Sequence, residues 1–221
     1  MPQPPNVEPP ELDVVEVSWG VCDVCDGVGV VFVGGSGALV HPDTAEGTVV
    51  WGMSLDRSFA PEMTLAAPNG SFELRVAGAE TDAFRLQARR DGRRSAPVDL
   101  LLDEATHEPR TVEHPYGECL EIDPIDELDF GEVSVGALAT LELTNRCSEV
   151  LSITEAGLRA GNPAFEVIAA SVPTTLRADE SASIQVRFDG TSRIVYEDVL
   201  LLVVDGTETD RFAFNLIARG Q

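Results

Sequence analysis

The sequence predicts an all-β fold: two tandem β-sandwiches behind a short Pro-rich spacer. Three observations carry that reading. Apolar residues recur at every second position in run after run, the period of a half-buried strand. Residues that tolerate positive φ punctuate the runs. No stretch sustains the period of a long helix.

The alternation is clearest from Ser181 to Phe188, where Ala182, Ile184, Val186 and Phe188 share one face and Ser181, Ser183, Gln185 and Arg187 the other. Phe72, Leu74 and Val76 form a second row, Phe84, Leu86 and Ala88 a third, and Phe212, Phe214 and Leu216 a fourth. A one-residue slip would turn each row to water, so these faces set register. Asn69-Gly70, Asp91-Gly92, Asp189-Gly190 and Asp205-Gly206 supply the turns. Residues 154–160 (TEAGLRA) break the pattern and read as one helical turn in a loop.

At 221 residues the chain suits two small domains. Residues 1–12 (MPQPPNVEPPEL) are the spacer, in which Pro favours extended, semi-rigid backbone. The first sandwich is read over 13–103, a polar linker with Pro109 and Pro115 over 104–118, and the second sandwich over 119–221. Each half is close to the size of an immunoglobulin-like sandwich, about 100 residues.

Composition excludes several chemistries. Fifteen cationic residues against 38 acidic ones leave a net charge of −23, and every cation is Arg. Without Lys there is no P-loop and no Schiff base. A surface this acidic repels a phosphate backbone, so nucleic acid is not an expected partner. The combination of no Lys with abundant Arg, Ala, Gly and Val reads as a high-GC bacterial coding sequence. Apolar residues make up 43% of the chain and aromatics 6%, so the cores rest mainly on Val, Leu, Ala and Ile. No apolar run approaches the ~20 residues that span a bilayer. No basic-then-apolar signal segment opens the sequence. The spacer instead has the character of the stretch that follows the lipidated Cys of a bacterial lipoprotein, a tether that would lie outside this sequence.

The second half carries a resemblance. Pro124, Leu128-Asp129-Phe130-Gly131, Val133, Val135-Gly136 and Leu141-Glu142-Leu143-Thr144-Asn145 follow in the order of an opening pattern. NPAFEV (162–167), SIQVRF (183–188), VYEDVLLLVVDG and FNLIARG continue it. Together they resemble an ASH/Hydin-type (choice-of-anchor D-like) immunoglobulin-like domain of the major-sperm-protein and PapD-like group, over about 105 residues. The resemblance implies that Phe130 enters the core, that Gly131 and Gly136 allow tight turns, and that Asn145 caps backbone at a strand end. It implies a non-catalytic module for assembly or binding, and it carries no catalytic residues. The first half resembles bacterial Ig-like or carboxypeptidase-regulatory-like modules more loosely, through APNGSFELRVAGAETDAFRLQARRDGRRSAPVDLLL (67–102).

Four groups of residues are candidate sites. Cys22 and Cys25 form a C-x-x-C followed by strand-like sequence, which favours a short disulfide stapling a turn over a redox pair or half of a zinc ribbon. Cys119 and Cys147 fall at the start of the first strand of the second half and just after Asn145, where both could meet at one end of the sandwich. Arg89, Arg90, Arg93 and Arg94 place four of the 15 Arg within six residues, a basic hairpin tip that could grip a carboxylate-rich partner or the acidic face of another copy, or merely solubilise the tip. Six acids lie within 121–132; of these Asp123, Asp126 and Asp129 are the candidate Ca²⁺ ligands, against the alternative of a solvated edge. His107 and His114 make a weaker transition-metal candidate beside Cys119, and no nucleophile elbow is present.

The expectation is a non-catalytic, extracytoplasmic bacterial protein without a cofactor: outer-membrane-anchored, periplasmic or secreted. It would bind a protein partner or copies of itself, with a strand edge as the docking surface. The alternatives are a repeating subunit of a surface or appendage assembly, an accessory module of a larger secreted enzyme, and an intracellular scaffold.

Overall fold

The alternating rows become strands in the computed structural model, which describes residues 9–22, 28–40 and 46–221. Among these residues there is no α-helix, only two 3-10 turns (Val14–Glu16 and Ala169–Ser171). Among the described residues no helix is long and apolar enough to cross a membrane. The chain divides into two units, Met1–Val112 and Glu113–Gln221.

The first unit contains β1 (Glu11–Leu12), β2 (Val17–Val21), β3 (Gly29–Gly34), β4 (Leu39–Val40), β5 (Val49–Ser54), β6 (Glu62–Leu65), β7 (Phe72–Ala77), β8 (Phe84–Arg90), β9 (Arg93–Arg94), β10 (Val98–Leu102) and β11 (Pro109–Thr111). One sheet runs β11-β10-β8-β5-β6, with β9 paired to β8, and another runs β2-β3-β7. Their inner rows form the core: Phe32, Leu74 and Val76 from one sheet meet Val50, Phe84, Leu86, Ala88 and Leu100 from the other. Phe32 and Phe84 meet edge-on at 5.4 Å. Burying each ring is worth about 1.5–3 kcal/mol. Gly52 lets the sheets approach, since a Cβ there would lie 2.6 Å from a Leu86 methyl and 2.8 Å from one of Leu74.

The second unit contains β12 (Leu120–Asp123), β13 (Glu127–Val133), β14 (Ala137–Asn145), β15 (Leu151–Leu158), β16 (Phe165–Val167), β17 (Thr175–Leu176), β18 (Ser181–Phe188), β19 (Val195–Asp205) and β20 (Thr209–Gly220). A four-stranded sheet runs β12-β14-β18-β16 and a five-stranded sheet β13-β20-β19-β15-β17. The first strand of this sandwich is split between the sheets. β12 pairs antiparallel with β14, the chain passes a cis Asp123–Pro124 bond, and β13 pairs parallel with β20. Phe130 packs on Phe165 and Phe188 inside, and Gly131 takes φ +68° where the β13 register shifts. Asn145 is fully buried: its Nδ2 donates to the carbonyls of Glu149 and Leu176, and its Oδ1 accepts from the Cys147 amide. Those three bonds satisfy backbone groups at the strand end, as its position implied.

Three readings of the sequence need correction. Residues 154–160 are not helical: β15 runs through Leu158, and Ala156 and Leu158 pack on the core opposite Leu202 and Leu200. Burial of that row outweighs the local helical preference of TEAGLRA. The spacer ends earlier than residue 12, since Glu11 and Leu12 pair with Val40 and Leu39 and Leu12 enters the core. The stretch 104–118 is ordered rather than a free linker. β11 adds to β10, and Tyr116 is buried in the second unit with its hydroxyl accepting from the Glu208 amide and donating to the Glu208 carbonyl. Asp210, buried beside it, holds His114 Nδ1 at 2.8 Å and accepts from the Tyr116 amide.

Candidate functional site

The outer face of the first unit's large sheet carries the features that most call for a partner. β5 pairs with β6 in the register Val49↔Leu65, Val50↔Thr64, Trp51↔Met63 and Gly52↔Glu62. The next pair along is bonded, with the Ala66 amide donating to the Thr48 carbonyl at 2.9 Å. In an antiparallel ladder, bonded and non-bonded pairs alternate. Thr64 and Glu62 are therefore the residues that bond to β5. Met63 and Leu65 point their N–H and C=O away from it, and neither has a backbone partner among the described residues.

The side chains at the same two positions are also open. Met63 is 63% exposed and Leu65 67%, with Phe59 nearby in sequence at 39%. Edge strands are ordinarily guarded by charge, and Glu62 is the one charged residue on β6. Proline bounds the edge instead: Pro61 has no N–H, and past Leu65 the Ala67 amide is used by the Ser71 carbonyl.

Behind this edge the face is tied together by polar and cation–π contacts. Trp51 is 2% exposed, with the Arg89 guanidinium 4.7 Å above its ring. Arg85 and Asp99 form a buried bidentate pair at 2.7 and 2.8 Å across β8 and β10. Gln87, also buried, donates to the Ser95 carbonyl.

The arginine hairpin forms, but not as one claw. Arg89 pairs with Arg94 and Arg90 with Arg93 around Asp91 and Gly92, both at positive φ. Side chains of successive strand residues alternate faces, so the four split into two pairs on opposite sides of the sheet. All four are half-buried. Arg89 is occupied with Trp51 and Gln87, and Arg90 lies 3.5 Å from Asp91.

Cys119 and Cys147 form a disulfide, with the Arg146 amide donating to the Cys119 carbonyl beside it. Cys22 is disulfide-bonded, and its amide donates to the Gly29 carbonyl; Cys25 lies outside the described residues, as does His41. The acidic stretch does not gather into a calcium site. Among the described residues no three His, Cys, Asp or Glu side chains converge on a metal position. Asp123 ends β12 in one sheet and Asp129 belongs to β13 in the other, where its Oδ1 accepts from the Gly131 amide. Asp126, between them at φ +67°, gives its carbonyl to the Asn215 amide. His107 packs at a tilt against Trp19 in the first unit, and His114 bonds Asp210 in the second.

The second unit's four-stranded sheet has a charged outer face. Arg187 is held above its ordinary pKa by the hydrogen bond and charge of Asp189, with Glu166 adding to both. Arg146 is likewise raised, first by its hydrogen bond to Glu121. Both therefore stay cationic through the working pH range.

Sequence reasoning did not single out Met63 and Leu65. Two apolar residues at alternate positions between Pro61 and Pro68 were the available signal, because Pro marks a strand edge.

No protein-family model matches the sequence, and no curated protein matches it. Solved structures do align. The VesB protease of Vibrio cholerae matches 80% of this chain at 12% identity with a TM-score of 0.40, and the match spans 63% of the VesB chain. A protein of unknown function from Porphyromonas gingivalis W83 matches 96% of this chain and 100% of its own at 14% identity and a TM-score of 0.39. The ASH / PapD-like domain of human CEP192 matches 54% of this chain and 96% of its own at 16% identity and a TM-score of 0.38. At these scores the likenesses assign neither a family nor an activity. The all-β, two-sandwich architecture stands on the chain's own strands.

Proposed function

We propose that this chain is a non-catalytic binding or scaffolding protein that works outside the cytoplasm and docks along the β6 edge. The observation that carries this reading is the open ladder at Met63 and Leu65, where free backbone groups coincide with exposed apolar side chains. Such an edge accepts an added strand, with backbone bonds supplying affinity and side-chain spacing supplying selectivity. The arginine hairpin is a secondary element of this surface, with Arg93 as its contribution to an acidic partner. The oxidising compartment is supported by the disulfide between Cys119 and Cys147 and by the disulfide-bonded Cys22. The Pro-rich opening serves as a spacer from a lipid tether.

Cross-linking tests the docking role. A photoreactive side chain at position 65, in the cells that make the protein, gives a discrete adduct under illumination, and the same group at Glu208 does not. No adduct at 65 overturns the reading. The mass of the adduct separates a second copy from a different protein. Alkylation tests the compartment: protein from the same cells takes up thiol reagent only after reduction, whereas four labels without reductant would place it in a reducing compartment.

A further inference from the structure

We infer that an open cleft in the second unit binds a small aliphatic carboxylate, with Arg193 and Arg219 taking the carboxylate and Ile194 and Val195 covering the carbon chain. The cleft shares no residue with the β6 edge, so its test stands or fails separately from the docking reading.

The cleft lies where β13 and β20 finish and β19 begins. It has a volume of about 540 Å³ and is lined by Glu132, by Arg193 to Val195, and by the end of β20 from Arg219. That volume is within the range of small-ligand sites, about 300–1,000 Å³. Arg219 is the register partner of Glu132 on β13 and of Val195 on β19, so these three side chains share one face of the sheet. Backbone bonds set the rim. The Gly220 amide donates to the Ile194 carbonyl, the Gln221 amide to the Val133 carbonyl, and Gln221 Nε2 to the Glu132 carbonyl. The loop that carries Arg193 sits directly on β20, because a Cβ at Gly220 would lie 2.1 Å from the Ser192 carbonyl oxygen. The Tyr196 hydroxyl accepts from the Ser192 amide and ties the same loop to β19.

Electrostatics point to the ligand. Acidic residues outnumber Arg 38 to 15, and Arg146 and Arg187 each hold two carboxylates. Arg193 and Arg219 hold none. Neither guanidinium has a hydrogen-bond or ion-pair partner among the described residues, Glu132 and Gln221 included. A guanidinium presents a planar fork of donors that a carboxylate matches. Glu132 is the one acidic side chain of the lining, and it opposes a more highly charged anion. A phosphate monoester, at about −1.5 to −2, would crowd negative charge against it. The apolar wall sets the rest of the ligand. Ile194 is 57% exposed and Val195 50%, and a hydrocarbon chain laid over them takes that surface out of water.

Titration of the full chain with sodium hexanoate, followed by residue-resolved ¹H–¹⁵N shifts, tests the site. Ionic strength is held at about 150 mM, where the Debye length of about 8 Å damps longer-range repulsion by the net charge of −23. The expected result is a set of saturable shifts at residues 132, 193–195 and 219–221, with a dissociation constant of about 1–10 mM. Hexan-1-ol lacks the charge and hexyl phosphate carries too much, and each binds at least about fivefold more weakly. Arg193→Gln and Arg219→Gln each weaken hexanoate binding at least about tenfold. Arg110→Gln, an exposed Arg of the first unit, leaves it unchanged. The absence of saturable shifts at about 50 mM hexanoate overturns the inference. So does binding of hexan-1-ol or hexyl phosphate as tight as that of hexanoate, or binding of hexanoate that survives both Gln variants.

Discussion

Replacing Cys119 and Cys147 together by Ala removes the one covalent link whose two ends the structure describes. The bridge closes a separation of 28 residues between the start of β12 and the turn after β14. For a loop of that size, the restriction it places on the unfolded chain is worth about 3.5 kcal/mol at 25 °C. The folded geometry changes little, because β12 keeps its ladder from Leu120↔Asn145 to Asp123↔Glu142 and the Arg146 amide keeps its bond to the Cys119 carbonyl. The effect should therefore appear as lost stability with the fold retained. For a unit of roughly 100 residues that loss lowers the midpoint of thermal unfolding by about 15–25 °C. The two units can be followed separately. Both Trp residues, Trp19 and Trp51, lie in the first unit, and both Tyr residues, Tyr116 and Tyr196, in the second. Unfolding followed by Trp fluorescence and by the near-ultraviolet dichroism of Tyr should diverge in the variant, with the Tyr transition moving. A loss below about 1 kcal/mol, or a loss in the Trp transition, would refute the loop-closure reasoning.

Other substitutions probe the packing behind the sites. Asp99→Ala removes the carboxylate that pairs with the buried Arg85 and should cost about 3–5 kcal/mol in urea unfolding, whereas Arg85→Met with Asp99→Leu should cost less. Tyr116→Phe breaks both bonds to Glu208 and should cost about 1–3 kcal/mol, read as an earlier Tyr196 transition. Gly220→Ala would place a Cβ 2.1 Å from the Ser192 carbonyl oxygen, and displacing that loop should cost about 1–3 kcal/mol in chemical unfolding.

Most strands were legible because a half-buried strand writes its period into the sequence. Ser181–Phe188 and the row at Phe84, Leu86 and Ala88 are strands with the expected faces inward. Asn145 was legible too, because a short amide at a strand end has few roles other than capping. Three features were hidden for physical reasons. The helical reading of 154–160 weighed local preference, while the ladder to β19 is a contact some 40 residues away. The arginine cluster is compact in sequence, but a hairpin distributes neighbours to alternate faces, so proximity along the chain did not become one patch. The acids of 121–132 were separated by a strand that changes sheets. The docking edge was the hardest to foresee. Met63 and Leu65 have the spacing of a core row, and only the topology shows that no described strand pairs beyond them.

The central claim is that the amides of Met63 and Leu65 have no partner strand beyond β6. Residue-resolved amide hydrogen exchange reads this directly. In dilute solution Met63 and Leu65 should exchange fast while Glu62 and Thr64, bonded to β5, exchange slowly. Four slow amides would contradict the account.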